Sequence, residues 1–130
     1  MFDLDETINR ACDSVPGRLS GALVLVPDGM LIGGFGAGGA HDREPLARSA
    51  ARCLSSPAVA LPHTKGAAKF VEFAFVSEGQ LVVILRGQRY ARLALVLACS
   101  REANLAWVLG ASRRALDEIE TGVDLGPWEV

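Results

Sequence analysis

The chain is poor in the side chains that do chemistry. It has two histidines, His41 and His63, and three cysteines, Cys12, Cys53 and Cys99. Two loop histidines and scattered carboxylates fall short of a metal-ligand set, so no metal is expected. The cysteines are odd in number and widely spaced, with no Cys-x-x-Cys. That pattern excludes a zinc ribbon and a disulfide framework. Each cysteine sits among apolar neighbours and is read as a reduced, buried thiol. His41 beside Asp42 is a lone pair with no nucleophile near it in sequence. No catalytic residue and no cofactor are therefore expected, and an enzyme is the least favoured class.

An excess of charge is missing too. Lys and Arg number 13 against 15 Asp and Glu, a formal net charge of -2. That balance gives no electrostatic reason for a nucleic-acid partner or an acidic membrane surface. Long apolar runs are absent. The run at residues 93–99 is far below the roughly 18–20 residues that a membrane span needs. The acidic start, Met1-Phe2-Asp3-Leu4-Asp5-Glu6, lacks an apolar stretch and does not read as a signal peptide. A cytoplasmic location is expected.

What the chain does have is core material. Of its 130 residues, 50% are hydrophobic, enough for one domain without staples. Leu4, Ile8, Ala11, Cys12 and Val15 fall at helical spacing, which predicts a short helix over 5–14 started by Asp5 or Thr7 and ended by Pro16-Gly17. Two strands follow, over 19–26 and 30–35, joined by Pro27-Asp28-Gly29 as a hairpin. A glycine-rich loop spans 33–39. Asp42 then caps a helix over 43–55, with Pro45 in its first turn. An irregular stretch runs to about Lys65. Strands over 70–76, 80–85 and 92–99 come next, with turns at Glu78-Gly79 and Gly87-Gln88-Arg89. A last helix over 101–120 carries an inner stripe of Leu105, Val108, Leu109, Ser112, Leu116 and Ile119.

The fold class is therefore α/β of the α+β type, with element order α-β-β-α-β-β-β-α. The five-stranded sheet is expected to be mostly antiparallel. Residues 22–26, 81–85 and 93–98 are apolar at every position. Such strands have both faces covered, by the middle helix on one side and the terminal helices on the other. One domain is expected over 1–122, followed by a tail over 123–130.

The glycine loop contains a formal Gly-x-Gly-x-x-Gly at Gly34, Gly36 and Gly39. A dinucleotide fingerprint needs a parallel strand-helix-strand unit and an acid about 20 residues on. Here the preceding strand belongs to a hairpin, residues 57–65 hold no acid, and the helix starts several residues past the last glycine. A mobile surface loop is the better reading. Arg113-Arg114 and Asp117-Glu118-Glu120 read as a solvated, ion-paired helix face.

Two segments point to binding. In the middle helix, Leu46, Ala47, Ala50, Ala51, Cys53 and Leu54 cover an arc of roughly 160°. Either this is an ordinary buried helix, or part of the arc is a second apolar surface for dimerisation. Glu44, Arg48 and Arg52 line the remaining face at i, i+4 spacing. The strand over 70–76 carries Phe70, Phe73 and Phe75, three of the five phenylalanines. It is either internal or an edge that pairs with a twin. Trp107 either packs on the first helix or marks an interaction surface, and Trp128 is equally open.

Several stretches in this order resemble the Roadblock/dynein light chain family, nearest to its bacterial gliding-polarity members. They are Val15-Pro16-Gly17, then Ser20-Gly21-Ala22-Leu23-Val24-Leu25-Val26-Pro27-Asp28-Gly29-Met30-Leu31-Ile32, then Glu78-Gly79-Gln80-Leu81-Val82-Val83 and Leu93-Ala94-Leu95-Val96-Leu97. The likeness covers about Asp5 to Glu120. It departs in the glycine loop and in the proline-rich 56–65 segment. The resemblance implies a profilin-like, roadblock architecture and a homodimer in which middle helices meet and third strands pair into one sheet. The dimer residues would then be Leu46, Ala47, Ala50, Ala51, Leu54, Phe70, Val71, Glu72, Phe73 and Phe75. It also implies a platform for a small Ras-like GTPase at Glu44, Arg48 and Arg52. The expected function is a non-catalytic homodimeric adaptor or regulator of such a GTPase, GTPase activation included. The alternatives are a small-ligand sensor with a pocket under the glycine loop, and a scaffold subunit of a signalling or motor complex.

Overall fold

The structure is a computed structural model and describes residues 3–26, 28–54 and 71–122. Helix α1 (Leu4–Ala11) runs into a 3-10 turn (Cys12–Ser14). Strands β1 (Arg18–Leu25) and β2 (Met30–Phe35) precede helix α2 (Ala40–Leu54). Strands β3 (Glu72–Ser77), β4 (Gln80–Arg86) and β5 (Leu93–Ser100) precede helix α3 (Leu105–Gly122). The element order is the one read from the sequence. The five strands lie in the order β2-β1-β5-β4-β3, and every adjacent pair is antiparallel. The chain thus crosses from one sheet edge to the other between β2 and β3.

The central strands are apolar throughout because each of their faces meets a helix layer. Leu23, Leu25, Val83, Leu85, Leu95 and Leu97 face α1 and α3. Ala22, Val24, Val82, Ile84, Val96 and Ala98 belong to the layer under α2. Each fully buried Leu, Ile or Val contributes about 1.5–3 kcal/mol of burial, so these two layers supply the main driving force for the fold. The alanines at positions 22, 94 and 98 leave room for α2 to lie close to the sheet.

Helix starts differ from the sequence reading. Asp3 caps α1, its carboxylate accepting the Glu6 N–H at 3.2 Å, so neither Asp5 nor Thr7 starts the helix. Helix α2 begins at Ala40, directly after Gly39 and not near Arg43. Asp42 lies inside its first turn and accepts the Gly38 N–H at 2.7 Å. This contact ties the loop before the helix to its first turn. Pro45 consequently falls in the second turn, where it offers no N–H to the carbonyl at position 41. Helix α3 starts at Leu105, with Asn104 accepting the Trp107 N–H at 3.1 Å. Its buried stripe is Val108, Ala111, Ser112, Ala115, Leu116, Ile119 and Glu120, while Leu105 is exposed.

Candidate functional site

Strand β3 forms one edge of the sheet among the described residues, so it is not internal. Its side chains alternate. Val71, Phe73 and Phe75 are half-buried beside the core layer under α2. Helix α2, however, packs on the same face over β1, β5 and β2, toward the other edge of the sheet. The two phenylalanines therefore sit at the rim of the sheet, beyond the main footprint of that helix. On the opposite face Ala74 and Val76 are exposed, and Glu72 binds the Arg113 guanidinium at 3.2 Å. Phe70, expected to join this row, lies outside the described residues, as do His63, the proline-rich segment, the tail and Trp128.

The other edge, β2, is blunted. Its register with β1 shifts at Ile32, between the pairs Leu23↔Gly33 and Val24↔Leu31. The Gly34 N–H donates to the Asp5 carboxylate at 3.0 Å, and Arg43 holds that carboxylate at 3.4 Å. A bulge and an inward acid are devices that discourage strand addition. The two edges thus offer different prospects for pairing.

Helix α2 explains its own wide apolar arc. Leu46, Ala47, Ala50 and Leu54 are buried against the sheet of the same protomer. Ala51, on the far side of the arc, abuts the β1–β2 turn at Gly29, whose backbone is left-handed (φ +77°). One side of the arc meets the sheet and the other meets this turn, so its width by itself implies no second apolar surface. Glu44, Arg48 and Arg52 are exposed, as are Asp42 and Pro45 nearer the start of the helix, and Glu44 and Arg48 pair at 3.8 Å.

Between α2 and the β3–β4 turn runs a groove of about 340 Å³. Asp42, Pro45 and Ser49 line it from the helix, and Phe75, Ser77 and Glu78 from the sheet. Glu78 has φ +51°, a left-handed backbone for a side chain that rarely adopts it. The groove lies beside the glycine loop, since Ser20 and Asp42, which line it, also abut Gly36.

The glycine fingerprint fails for a revised reason. The helix does begin straight after Gly39, which removes one objection. The preceding strand is still half of an antiparallel hairpin. In addition, the Asp42 carboxylate occupies the Gly38 N–H that a phosphate would need.

Other readings are also corrected. Glu120 is no part of a solvated face. It is 3% exposed, and its carboxylate accepts the N–H groups of Gln88, Arg89 and Tyr90 at 3.1, 3.0 and 2.8 Å. No local sequence signal marked it, because its donors lie about 30 positions away in the chain. Arg113 spans Glu72 and the Arg86 carbonyl oxygen rather than facing water. Trp107 is 72% exposed, so it does not pack on α1 and remains a surface feature. All three cysteines are free; Cys12 and Cys99 are buried and Cys53 is half-buried. Burial pushes the Cys12 thiol up to about 12 and the Cys99 thiol up to about 11. Among the described residues no group of three or more His, Cys, Asp or Glu could hold a metal ion, and no helix is long and apolar enough to cross a membrane.

The backbone is similar to that of the Roadblock/LC7 domain from Streptomyces avermitilis, with a TM-score of 0.73 over 93% of this chain and 98% of that one, at 16% identity. The fold is that of the Roadblock/LC7 domain. The gliding protein MglB from Thermus thermophilus shares it, with a TM-score of 0.68 at 19% identity over 93% and 91% of the two chains. So does an MglB with tetrameric arrangement, with a TM-score of 0.66 at 16% identity over 95% of each chain. No family model and no curated protein matches the sequence. The Roadblock/LC7 likeness is thus carried by the backbone, and the open edge, the helix flank and the groove belong to this chain's own residues.

Proposed function

We propose that this chain is a homodimeric adaptor that regulates a small Ras-like GTPase and has no chemistry of its own. The observation that carries the reading is the asymmetry of the sheet edges. The β2 edge is blunted by Asp5 and a bulge. Among the described residues the β3 edge pairs with no further strand, and it is backed by Val71, Phe73 and Phe75. Pairing β3 with its twin about a two-fold axis would add strand hydrogen bonds and bury those rings. The self-contact then comprises Val71, Glu72, Phe73 and Phe75. Leu46, Ala47, Ala50 and Leu54 serve this contact indirectly, by seating α2 on the sheet. Likeness to an MglB of tetrameric arrangement supports self-association. The GTPase part of the reading is supported by the sequence resemblance and by the exposed ridge of Glu44, Arg48 and Arg52.

Sedimentation velocity of the full chain at micromolar concentration tests the first part, with a dimer expected; a strict monomer refutes it. GTP hydrolysis by a cognate GTPase, with and without this chain, tests the second. Binding without a change in rate would make the chain a tether, and no binding would remove the GTPase. A small-ligand reading is favoured by one observation, a groove of about 340 Å³ with mixed lining, a size typical of ligand sites. Thermal-shift measurements against nucleotides and metabolites test it.

A further inference from the structure

We infer that the groove between α2 and the β3–β4 turn binds an organic cation, a primary ammonium or guanidinium carried on an apolar stem. The inference rests on the small-ligand reading and names the class of ligand.

The lining has one sign of charge. Asp42 and Glu78 bring two carboxylates to the groove, and no Lys or Arg lines it among the described residues. Phe75 and Val82 give it an apolar wall. An alkyl stem can lie along such a wall while its charged head meets the acids.

Two exposed acids alone would be a patch of surface charge. Ser20 makes the groove more than that. It is only 7% exposed, yet it lines the groove. It stands two residues before Ala22 on β1, so its side chain projects to the face that α2 covers. Its hydroxyl has no hydrogen-bond partner among the described residues. Buried hydroxyls are normally paired, and this one has lone pairs ready for a ligand N–H. Ser49 presents a second hydroxyl from α2.

An anion finds little here. The start of α2 carries a partial positive charge of about half a unit, but its donors are spent. The Gly38 N–H goes to the Asp42 carboxylate at 2.7 Å. The Asp42 and Arg43 N–H groups both donate to the Gly39 carbonyl oxygen, at 3.1 and 3.3 Å. Pro45 has no N–H to give. The Arg43 guanidinium turns to Asp5 at 3.4 Å. Two carboxylates outweigh the half-charge that remains.

The test is calorimetric titration of the full chain with agmatine and, separately, with the peptide acetyl-Gly-Arg-Gly-amide. At least one is expected to bind with a dissociation constant below about 1 mM. Backbone amide shifts at Ser49 and Gln80 locate the binding. Tighter binding of agmatine assigns the groove to a free amine, and tighter binding of the peptide to an arginine side chain; either supports the inference. Glu78→Gln and Asp42→Asn are each expected to weaken binding by about 3-fold or more. Ser20→Ala, which removes one oxygen, is expected to weaken it by about 5-fold or more. Circular dichroism checks that each variant folds. Cation binding that Ser20→Ala leaves unchanged, or that both acid variants leave unchanged, overturns the inference. So does a groove that binds GDP or citrate and neither cation, an outcome that leaves the small-ligand reading standing. A groove that binds none of these compounds, nor any other nucleotide or metabolite, brings down both.

Discussion

Glu120 is a carboxylate held inside the fold by three backbone donors from the β4–β5 turn. Removing it would leave those N–H groups without their acceptor, and the buried Tyr90 amide could not turn to water. Glu120→Ala is expected to destabilise the protein by about 2–4 kcal/mol, read as a lower denaturant midpoint. The buried thiols act at the same scale through pH. Burial raises Cys12 from 9.0 to about 12 and Cys99 from 9.0 to about 11. The folded state therefore keeps protons that the unfolded state loses above pH 9.0. The stability they contribute is full below that pH and falls as pH rises toward 12, by at most about 1.4 kcal/mol per pH unit per thiol. Denaturation between pH 8 and 11 should show this slope, and Cys12→Ala should flatten it. The burial of Cys12 and Cys99 was legible from their apolar neighbours, whereas Cys53 is only half-buried. The burial of Glu120 was not legible, because a carboxylate is buried only where donors converge, and these come from a turn about 30 positions away in sequence.

At the scale of elements, β1, β4 and β5 were legible because continuous apolar runs occur where both faces of a strand are covered. Their neighbours at the rim were less so. A single phenylalanine-rich strand has the same sequence whether it is internal or at an edge; only strand order separates the two. The start of α2 was misplaced because a run of glycines carries no helical period, and it is the reach of Asp42 back to Gly38 that begins the helix early. The β1–β2 pair depends on glycine for a spatial reason. A methyl group at Gly34 would collide with the Gly21 carbonyl oxygen across the pair. Gly34→Ala is expected to cost about 1–3 kcal/mol, since backbone on both sides must move, and thermal unfolding would measure it. If Gly34→Ala were as stable as the wild type, the tight approach of these strands would be wrong.

For the whole molecule, the question is where the open edge and the rim of phenylalanines go. Phe75 is only half-buried, so a charge there should be tolerated by the protomer more readily than by a dimer. Phe75→Glu is expected to leave the circular dichroism spectrum unchanged and to weaken self-association by about 10-fold or more, as loss of a central apolar anchor does. Sedimentation of the variant beside the wild type measures this. A variant that dimerises like the wild type would move the self-contact away from this face of β3.

Element order, fold class and the two apolar layers could be read from the chain alone, because hydrophobic periodicity and turn residues act locally along it. The same residues carried the resemblance that the backbone comparison bears out as a fold. It took packing in three dimensions to settle which strands are edges and that Leu46, Ala47, Ala50 and Leu54 are buried within the protomer. Packing also brought Asp42 and Glu78 to one groove. Each of these depends on what lies opposite a residue in space. A side chain's own type says that it wants burial or a counter-charge; only the packed fold says whether its own chain has already supplied it.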